Sequence, residues 1–443
     1  MKKYNSLLFL LFAIILPNIT TSQDLQNQLK ELFGAKNVTA VDSSSFTEFY
    51  QINVPQYIDH NNKTKGQFLQ RVRIGIASKN AINVMLTEGY DIPRMHMNPN
   101  FKMEVTSLLN ANQILVEHRY FGESIPDSLS KKYLTYKQAS ADFHHINEKL
   151  KLLLKNKWIS TGVSKSGDAA LAYRFYYPND VAATLVYGIS LTTVAEEPRI
   201  EQFFDAKRSS ESGKLINDAQ LYLLKNKRTL LPLFKKIIEI EKQDLKPWDI
   251  EVLYDYGVLD LENSFWQYYK SMDDLKKEVN EVIDMETQRD EYKLFEIPSK
   301  FEDRLVFFAA YSAIGNIVNK MKSHYYQAFS QGGYYGYNEK PFLPYLKLDN
   351  YPLSIFAGEK TTFNPEFRQQ QKKWTENMMQ NVILINGTND PWSVCKIVPS
   401  SEKDNLVISV ANANHNLRLE DLTSEEMTKV KSKLSKWLNI KMF

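Results

Sequence analysis

Short apolar segments of strand length alternate with helix-like segments in the first part of the chain. Strand patterns occupy 50–54, 68–74, 81–86, 113–117, 158–161 and 183–187, and helical patterns cover 24–35, 135–155 and 169–177. The first two strand patterns flank a turn-rich segment and predict a β-hairpin. The later strands alternate with helices, and this order predicts an α/β fold whose mostly parallel sheet carries helices on both faces.

The alternation stops near residue 199, and the chain then becomes long, charged and helix-prone, most clearly at 221–242 and 272–292. Strand patterns return at 381–385 and 406–410, followed by a closing helix over 424–438. Thr423 and Glu426 have the spacing of a capping box at the start of that helix. We predict that 199–375 is an inserted helical cap, and that 23–198 and 376–443 together form the α/β domain.

The N-terminus has the pattern of a secretory signal. Two lysines follow Met1, an apolar run covers 7–17, and a polar stretch covers 18–23. The apolar run is short for a membrane span, so we predict a cleavable signal peptide over 1–22 and a secreted or periplasmic protein. After signal removal we expect no membrane anchor. The alternative is an uncleaved anchor helix.

Composition and motifs exclude several kinds of partner. Lysine and arginine number 55 against 52 acidic residues, so the basic excess typical of nucleic-acid-binding proteins is missing. The sequence has no HExxH motif, no cysteine cluster and no phosphate-binding glycine loop, and we therefore predict no metal and no cofactor. Cys395 is the only cysteine and cannot form an internal disulfide. No pattern indicates an oligomeric state.

The segment from Gly162 to Gly167 directly follows a predicted strand and opens a predicted helix. This is the context of a nucleophile elbow, in which a sharp turn projects a serine hydroxyl above the carboxyl edge of the sheet. Ser164 occupies the nucleophile position, and Ser166 stands where glycine is usual. The alternative interpretation is an ordinary polar loop between strand and helix.

A serine nucleophile needs a base and a carboxylate that orients the base. In an architecture of this kind the three residues follow the order serine, acid, histidine. Asp390 lies just after the strand pattern that ends at 385, and His415 lies just after the one that ends at 410. We therefore predict Ser164, Asp390 and His415 as a catalytic triad. Three other histidines fit this order less well and are expected to have packing or surface roles: His118, His144 and His145.

Acyl transfer also needs hydrogen-bond donors for the developing oxyanion. One predicted donor is the backbone N–H of Lys165, the residue after the nucleophile. The second is expected from the loop after the strand at 81–86, which contains Gly89 and Tyr90. The alternative for Gly89 is a simple turn glycine.

Six motifs occur in an order known from one group of exopeptidases. They are FLQR at 68–71, TEGY at 87–90, EHRYFGES at 117–124, YLT at 133–135, GVSK at 162–165 and NGTNDPW at 386–392. On these motifs the chain resembles the secreted prolyl tri-/tetrapeptidyl aminopeptidases, which are related to lysosomal Pro-Xaa carboxypeptidase and dipeptidyl peptidase II. The resemblance covers roughly 45–200 and 375–443.

The resemblance implies an α/β-hydrolase fold with a helical cap and a serine peptidase triad at Ser164, Asp390 and His415. It also implies release of short peptides, often tripeptides, from free N-termini, commonly after proline. Such an enzyme must bind an α-ammonium group, for which we predict Glu196 and Glu197. The alternative for this acidic pair is a solvated surface. Three other functions stay open: a carboxypeptidase that cleaves Pro-Xaa bonds, an esterase, and an inactive binding protein.

Overall fold

A computed structural model describes residues 22–127, 130–243, 248–292, 296–348 and 352–442. The predicted signal peptide therefore lies outside the described residues, except for its last position. Within the described ranges, no helix combines the length and the apolar character needed to cross a lipid bilayer.

A large twisted sheet forms the centre of the molecule. Its strands are β1 (Val38–Ala40), β2 (Glu48–Tyr57), β3 (Gln67–Ile76), β4 (Asn83–Thr87), β5 (Asn112–Val116), β6 (Trp158–Val163) and β7 (Ala183–Tyr187), with two more from the end of the chain. A separate small sheet pairs β8 (Glu196–Glu197) with β9 (Tyr334–Tyr335), and the last strands of the large sheet are β10 (Val382–Gly387) and β11 (Leu406–Val410). The order in the large sheet is β1-β2-β3-β5-β4-β6-β7-β10-β11.

The strands from β5 to β11 along this order are parallel, whereas β1, β2 and β3 pair antiparallel. The register aligns the ends of neighbouring strands: Val163 of β6 pairs with Tyr187 of β7, and Gly387 of β10 pairs with Val410 of β11. The loops that follow these four strands therefore leave the sheet at one edge, where polar side chains from distant parts of the sequence come together.

Helices cover both faces of the sheet. They are α1 (Ser22–Phe33), α2 (Glu104–Leu109), α3 (Tyr136–Leu150), α4 (Lys165–Tyr176) and, from the end of the chain, a closing helix over Ser424–Leu438. Apolar residues of α1, α3 and α4 pack on one face, and residues of α2 and the closing helix pack on the other. The arrangement is the α/β-hydrolase fold that the resemblance implied.

Between β7 and β10 the described chain is mostly helical, apart from β8, β9 and the loops around them. It contains α5 (Pro198–Lys207), α6 (Glu211–Lys225), α7 (Lys227–Ile240), α8 (Ile250–Tyr268), α9 (Met272–Glu286), α10 (Phe301–Ile317), α11 (Asn319–Gln327) and α12 (Glu366–Asn377), so the closing helix is α13. Most of these helices share a hydrophobic core of their own, built largely on the buried residues of α8 and α10. Helix α12 instead packs on the sheet domain through Trp374, whose ring lies 5.6 Å from that of Phe175.

Most local predictions are confirmed. The hairpin is formed by β2 and β3, Thr135 caps α3, and the capping box of Thr423 and Glu426 starts α13. The helix-prone stretch 221–242 is divided between two helices, because α6 ends at Lys225 and α7 begins at Lys227. Between them, the side-chain amide of Asn226 donates a hydrogen bond to the carbonyl of Tyr222 at 2.9 Å. That bond satisfies an end carbonyl of α6 and favours termination there.

Candidate active site

Ser164 sits in a strained turn between β6 and α4. Its backbone has φ 55° and ψ −126°, a conformation that costs a non-glycine residue about 1–3 kcal/mol. Two bonds hold the turn: the Ser164 N–H donates to the carbonyl of Tyr187 at 2.9 Å, and the Asp168 N–H donates to the carbonyl of Ser164 at 2.8 Å. This is the geometry of a nucleophile elbow, and it places Ser164 on the wall of a large cavity.

Two glycines let the backbone of the elbow close so tightly. A Cβ atom at Gly162 would overlap the carbonyl of Ser166, and one at Gly167 would lie 2.6 Å from a methyl group of Ile189. The close approach of strand and helix thus depends on Gly162 and Gly167. Position 166 is free to carry a side chain, which explains why serine is compatible with the turn.

The Ser166 hydroxyl connects the elbow to the loop after β4. It accepts the Gly89 N–H at 3.0 Å and donates to Oε2 of Glu88 at 3.2 Å. All three residues are buried. The side chain that departs from the usual elbow pattern therefore fixes the loop that was predicted to supply an oxyanion donor.

Replacing Ser166 with alanine is expected to weaken both stability and catalysis. The change leaves the buried Gly89 N–H without its acceptor, which costs about 1–3 kcal/mol in the free energy of unfolding. Because the loop loses its link to the elbow, we also expect kcat/KM for a peptide substrate to fall by about 10- to 100-fold. Urea unfolding and steady-state kinetics measure the two effects. Wild-type values for both would show that the link does not position the loop.

Asp390 and His415 form a buried pair at the same edge of the sheet. Nδ1 of His415 lies 2.6 Å from Oδ2 of Asp390, and their side chains are 6% and 1% exposed. The other carboxylate oxygen of Asp390 accepts the Trp392 N–H at 3.0 Å. The carboxylate is thus held by the first turn of its own loop while it orients the imidazole.

The loops after β10 and β11 can lie this close because Gly387 lacks a side chain. A Cβ atom there would overlap the carbonyl of Ala413. The Asn389 N–H donates to the same carbonyl at 2.8 Å, and the Asn412 N–H donates to Oγ1 of Thr388 at 2.8 Å. These contacts tie the loop that carries Asp390 to the loop that carries His415.

The end of β7 contacts both Ser164 and His415. Tyr187, its last residue, accepts the Ser164 N–H, and a Cβ atom at the next residue, Gly188, would lie 3.0 Å from the His415 ring. Helix α8 supports the histidine from the other side, since the His415 N–H donates to the carbonyl of Gln267 at 3.0 Å. The three residues predicted as a triad thus occupy one site, although they are far apart in the sequence.

The predicted oxyanion donors differ in availability. The Gly89 N–H is already used by Ser166. Within the described residues, the N–H groups of Lys165 and Tyr90 have no hydrogen-bond partner, and both residues border the cavity next to Ser164. Lys165 and Tyr90 are therefore the available donors, while Gly89 has a structural use: a Cβ there would lie 2.7 Å from the backbone of Lys165.

The side chain of Lys165 folds back over the same loop. Its ammonium group donates to the carbonyl of Gly89 and lies 4.8 Å and 4.4 Å from the ring centroids of Tyr90 and Phe121. Burial lowers the pKa of Lys165 from 10.5 to about 7. The amine is therefore partly neutral near neutral pH, because burial away from water disfavours its charged form.

This pKa predicts a pH-dependent contribution to stability. Between about 7 and 10.5, the unfolded chain holds a proton on Lys165 that the folded chain has released. The free energy of unfolding therefore rises with pH across this window, and the contribution is lost as the pH falls to 7. Urea unfolding can compare wild type with Lys165→Met, which keeps the backbone N–H. As the pH rises across this window, the free energy of unfolding of wild type should increase relative to that of the variant. If the difference in free energy of unfolding between wild type and Lys165→Met did not change with pH, the prediction would be contradicted.

The cavity in front of Ser164 has a volume of about 800 Å³. Its base is formed by the sheet domain, including Tyr90, Ser164 and Gly188, and its roof by cap residues from α8, α9 and α10. Tyr268, Tyr335 and Trp392 contribute aromatic surface, and the ring of Tyr335 lies 5.3 Å from that of Trp392. Such a space suits a peptide segment with an apolar residue near the scissile bond.

Glu196 and Glu197 are not brought to this cavity, and neither lines it. Glu197 is 4% exposed, accepts two hydrogen bonds of 2.7 Å from the Arg199 guanidinium, and caps α5. Glu196 pairs with Tyr334 in the small sheet and is exposed. The sequence showed two acids after a strand, but it did not show that Arg199 neutralises one of them.

Asp260 is an acid that the sequence analysis missed. It lies on α8, is 8% exposed and borders the cavity. The signal in the sequence is a single aspartate inside the apolar run 258–261 of a helix. An acidic residue with apolar neighbours on both sides within a helix is unusual enough to mark a candidate position.

The other histidines have roles in packing and local hydrogen bonding. His118 is buried, with ring contacts to Phe121 and Phe143, so it supports the loop after β5. His145 donates to or accepts from the side-chain amide of Gln56 at 2.8 Å.

One group of side chains in the described chain has metal-compatible spacing, namely His144, Glu148 and Asp180, whose ligand atoms lie within 4.8 Å of one another. Oδ2 of Asp180 already has two partners, the His144 ring at 2.7 Å and the Tyr173 hydroxyl at 2.7 Å. Local hydrogen bonds thus account for this group.

Comparisons with known proteins identify several that are similar to this chain. The prolyl tri/tetrapeptidyl aminopeptidase of Streptomyces mobaraensis is 25% identical over 433 residues, which cover 96% of this chain and 87% of that protein. The lysosomal Pro-X carboxypeptidase of Homo sapiens is 34% identical over 99 residues, 20% of each chain. Among solved structures, the crystal structure of VinJ matches with a TM-score of 0.40 and 11% identity, and covers 84% of this chain and 96% of that one.

A family model for PS-10 peptidase S37 matches residues 21–442. This match includes the sheet domain, the helical segment between β7 and β10, and the loops that carry Ser164, Asp390 and His415. The chain therefore belongs to the PS-10 peptidase S37 family and is a serine peptidase.

Proposed function

We propose that the protein is an exported exopeptidase that releases short peptides, most often tripeptides, from free N-termini after proline. The observation that carries the proposal is the Asp390–His415 pair beside a serine elbow, at the floor of a cavity roofed by the cap. The similarity to the Streptomyces mobaraensis enzyme supports the aminopeptidase direction and the proline preference. Export rests on the signal pattern at 1–22.

The proposed chemistry is acyl transfer through a covalent intermediate. The Ser164 hydroxyl attacks the carbonyl carbon of the scissile bond while His415 accepts the hydroxyl proton. Asp390 keeps Nδ1 of His415 protonated, so that Nε2 is the basic nitrogen. The N–H groups of Lys165 and Tyr90 receive the negative charge on the former carbonyl oxygen.

Collapse of the tetrahedral intermediate breaks the peptide bond, and His415 gives its proton to the leaving amine. Water then enters, His415 takes one of its protons, and the resulting hydroxide attacks the acyl carbon. The short N-terminal peptide leaves as a carboxylate, and Ser164 regains its proton from His415. The proton taken from the serine thus goes to the leaving amine, and the proton taken from the water goes to the serine, both through the same imidazole. The product acid releases its remaining proton to solvent when it ionises.

Mass spectrometry of the products tests the proposal. A peptide with proline at its third position is incubated with the enzyme, in one sample with a free N-terminus and in the other with an acetylated one. Release of the N-terminal tripeptide from the free form alone is expected. Loss of a single residue from the C-terminus, after proline, would instead support a carboxypeptidase, in line with the shorter similarity to lysosomal Pro-X carboxypeptidase.

A nitrophenyl ester and a fluorophosphonate probe separate the remaining alternatives. Hydrolysis of the ester without cleavage of either peptide would favour an esterase. If Ser164 in folded protein failed to react with the probe, an inactive binding protein would be favoured.

Export is tested by N-terminal sequencing of protein recovered outside the cytoplasm. The sequence is expected to begin after the predicted signal segment, whereas a sequence that begins at Met1 would support the uncleaved anchor helix.

A further inference from the structure

Asp260 projects from the cap helix α8 into the cavity, and its surroundings differ from those of the other acids there. Its Oδ2 accepts hydrogen bonds from the hydroxyls of Ser264 at 2.9 Å and Ser312 at 2.7 Å. Its Oδ1 accepts from the hydroxyls of Tyr337 at 3.1 Å and Tyr335 at 3.3 Å. All four partners are neutral.

Two other acids on the cavity wall already have a cationic partner. Oδ2 of Asp168 lies 2.5 Å from Nη2 of Arg368, and Oε2 of Glu286 lies 2.5 Å from Nη1 of Arg289. In the part of the chain that the structure describes, no salt bridge joins Asp260 to a lysine, arginine or histidine. Asp260 is therefore a buried acid whose described partners are all neutral hydroxyls.

Such a carboxylate is costly to bury unless its charge is balanced or strongly solvated by the protein. The Ser312 hydrogen bond to Oδ2 has the 2.5–2.7 Å length typical of a hydroxyl on a carboxylate. The Ser264 bond to Oδ2 is somewhat longer, and both contacts on Oδ1 are longer still. Burial raises the pKa values of Tyr335 and Tyr337 well above 10, so both hydroxyls stay protonated and act as donors. The Asp260 side chain therefore favours binding of a cation, and its Oδ1 can accept a further hydrogen bond from one.

The cavity connects this carboxylate to the reaction centre. Asp260, Ser264, Ser312 and Tyr335 border the same cavity as Ser164. A peptide acylated on Ser164 would extend from the floor into the roofed space, and its free amino group is the one cation that an N-terminal exopeptidase substrate always carries. We infer that Asp260 binds the α-ammonium group of the substrate and so sets the length of the released peptide, an inference that rests on the proposed function.

The experiment compares Asp260→Asn with wild type on two substrates: Ala-Ala-Pro p-nitroanilide and its N-acetyl form. The variant is nearly isosteric but lacks the charge. For the free substrate, kcat/KM is expected to fall by about 100-fold, mainly through KM, because a buried charge-assisted contact is lost. For the acetylated substrate and for the rate of fluorophosphonate labelling at Ser164, which need no ammonium group, we expect wild-type values.

Three further variants sharpen the comparison. Asp260→Glu keeps the charge at a shifted position and is expected to retain part of the preference for the free N-terminus, which a purely structural defect would not restore. Glu278→Gln removes the exposed acid that also borders the cavity, and Glu402→Gln removes a surface acid of the sheet domain. Neither glutamine variant is expected to change the preference for a free over an acetylated N-terminus.

The outcomes distinguish this inference from the proposed function. If wild type prefers the free substrate and Asp260→Asn keeps that preference, or if Glu278→Gln loses it instead, the assignment of Asp260 is overturned while the aminopeptidase proposal stands. An equal loss on both substrates and in labelling would make Asp260 a structural residue and also overturn it. If wild type shows no preference for a free N-terminus, both proposals fail.

Discussion

Replacing Ser164 with alanine is expected to lower kcat for peptide hydrolysis by about 10⁴- to 10⁶-fold, the range seen when a triad nucleophile is removed. The loss follows because no other hydroxyl occupies the strained elbow: Ser166 faces Glu88 and Gly89 rather than the cavity. The fold should survive, since the bonds that hold the turn come from the backbone of Ser164.

Product formation with a peptide ending in a chromophore measures the loss, and a fluorophosphonate probe measures whether the nucleophile is present. Ser401→Ala, at an exposed position, is the matched control and should behave as wild type. If Ser164→Ala retained more than a small fraction of the activity with an unchanged melting temperature, Ser164 would not be the nucleophile, and the proposed mechanism would fall with it.

Replacing Asp390 with asparagine is expected to lower kcat by about 10⁴-fold. The amide can still accept the Trp392 N–H through its oxygen, but where it faces Nδ1 of His415 it no longer offers a negative charge. The imidazole then loses both its preferred tautomer and the charge that stabilises it after proton uptake. Because the pair is almost fully buried, water does not replace the lost interaction.

The measurement pairs kcat with the rate of fluorophosphonate labelling at Ser164, which also depends on His415 as a base. Both should fall in Asp390→Asn, while the melting temperature changes little. Asp218→Asn, which removes an exposed acid of α6, controls for the change in net charge. A folded Asp390→Asn enzyme with wild-type kcat and labelling rate would show that His415 does not depend on Asp390.

The elbow and the positions of the three residues proposed as a triad could be predicted because their signals are local. A strand pattern, two glycines around a serine, and a helix pattern lie within 158–177, and close packing of the turn needs glycine at positions 162 and 167. Asp390 and His415 each follow directly on a strand pattern. In a parallel sheet the ends of such strands share one edge, so their proximity follows from the strand assignments.

Other features of the site depend on contacts between segments that are distant in the sequence. The Ser166 hydroxyl fixes Gly89, which is 77 positions away, and this contact decides that Tyr90 rather than Gly89 has a free N–H. The prediction of Glu196 and Glu197 as the ammonium site rested on their place in the sequence alone. In the structure Glu197 pairs with Arg199, and neither acid borders the cavity that contains Ser164.

The sequence by itself determined the α/β architecture, the elbow and the order of the proposed catalytic residues, because periodicity and turn chemistry act over a few residues. Only the tertiary structure decided which buried groups are already satisfied and which remain available. Asp168 and Asp260 are both aspartates on the cavity wall, yet one faces Arg368 and the other faces four hydroxyls. The energy of a buried charge is set by its neighbours in space, and folding brings those neighbours from far along the chain.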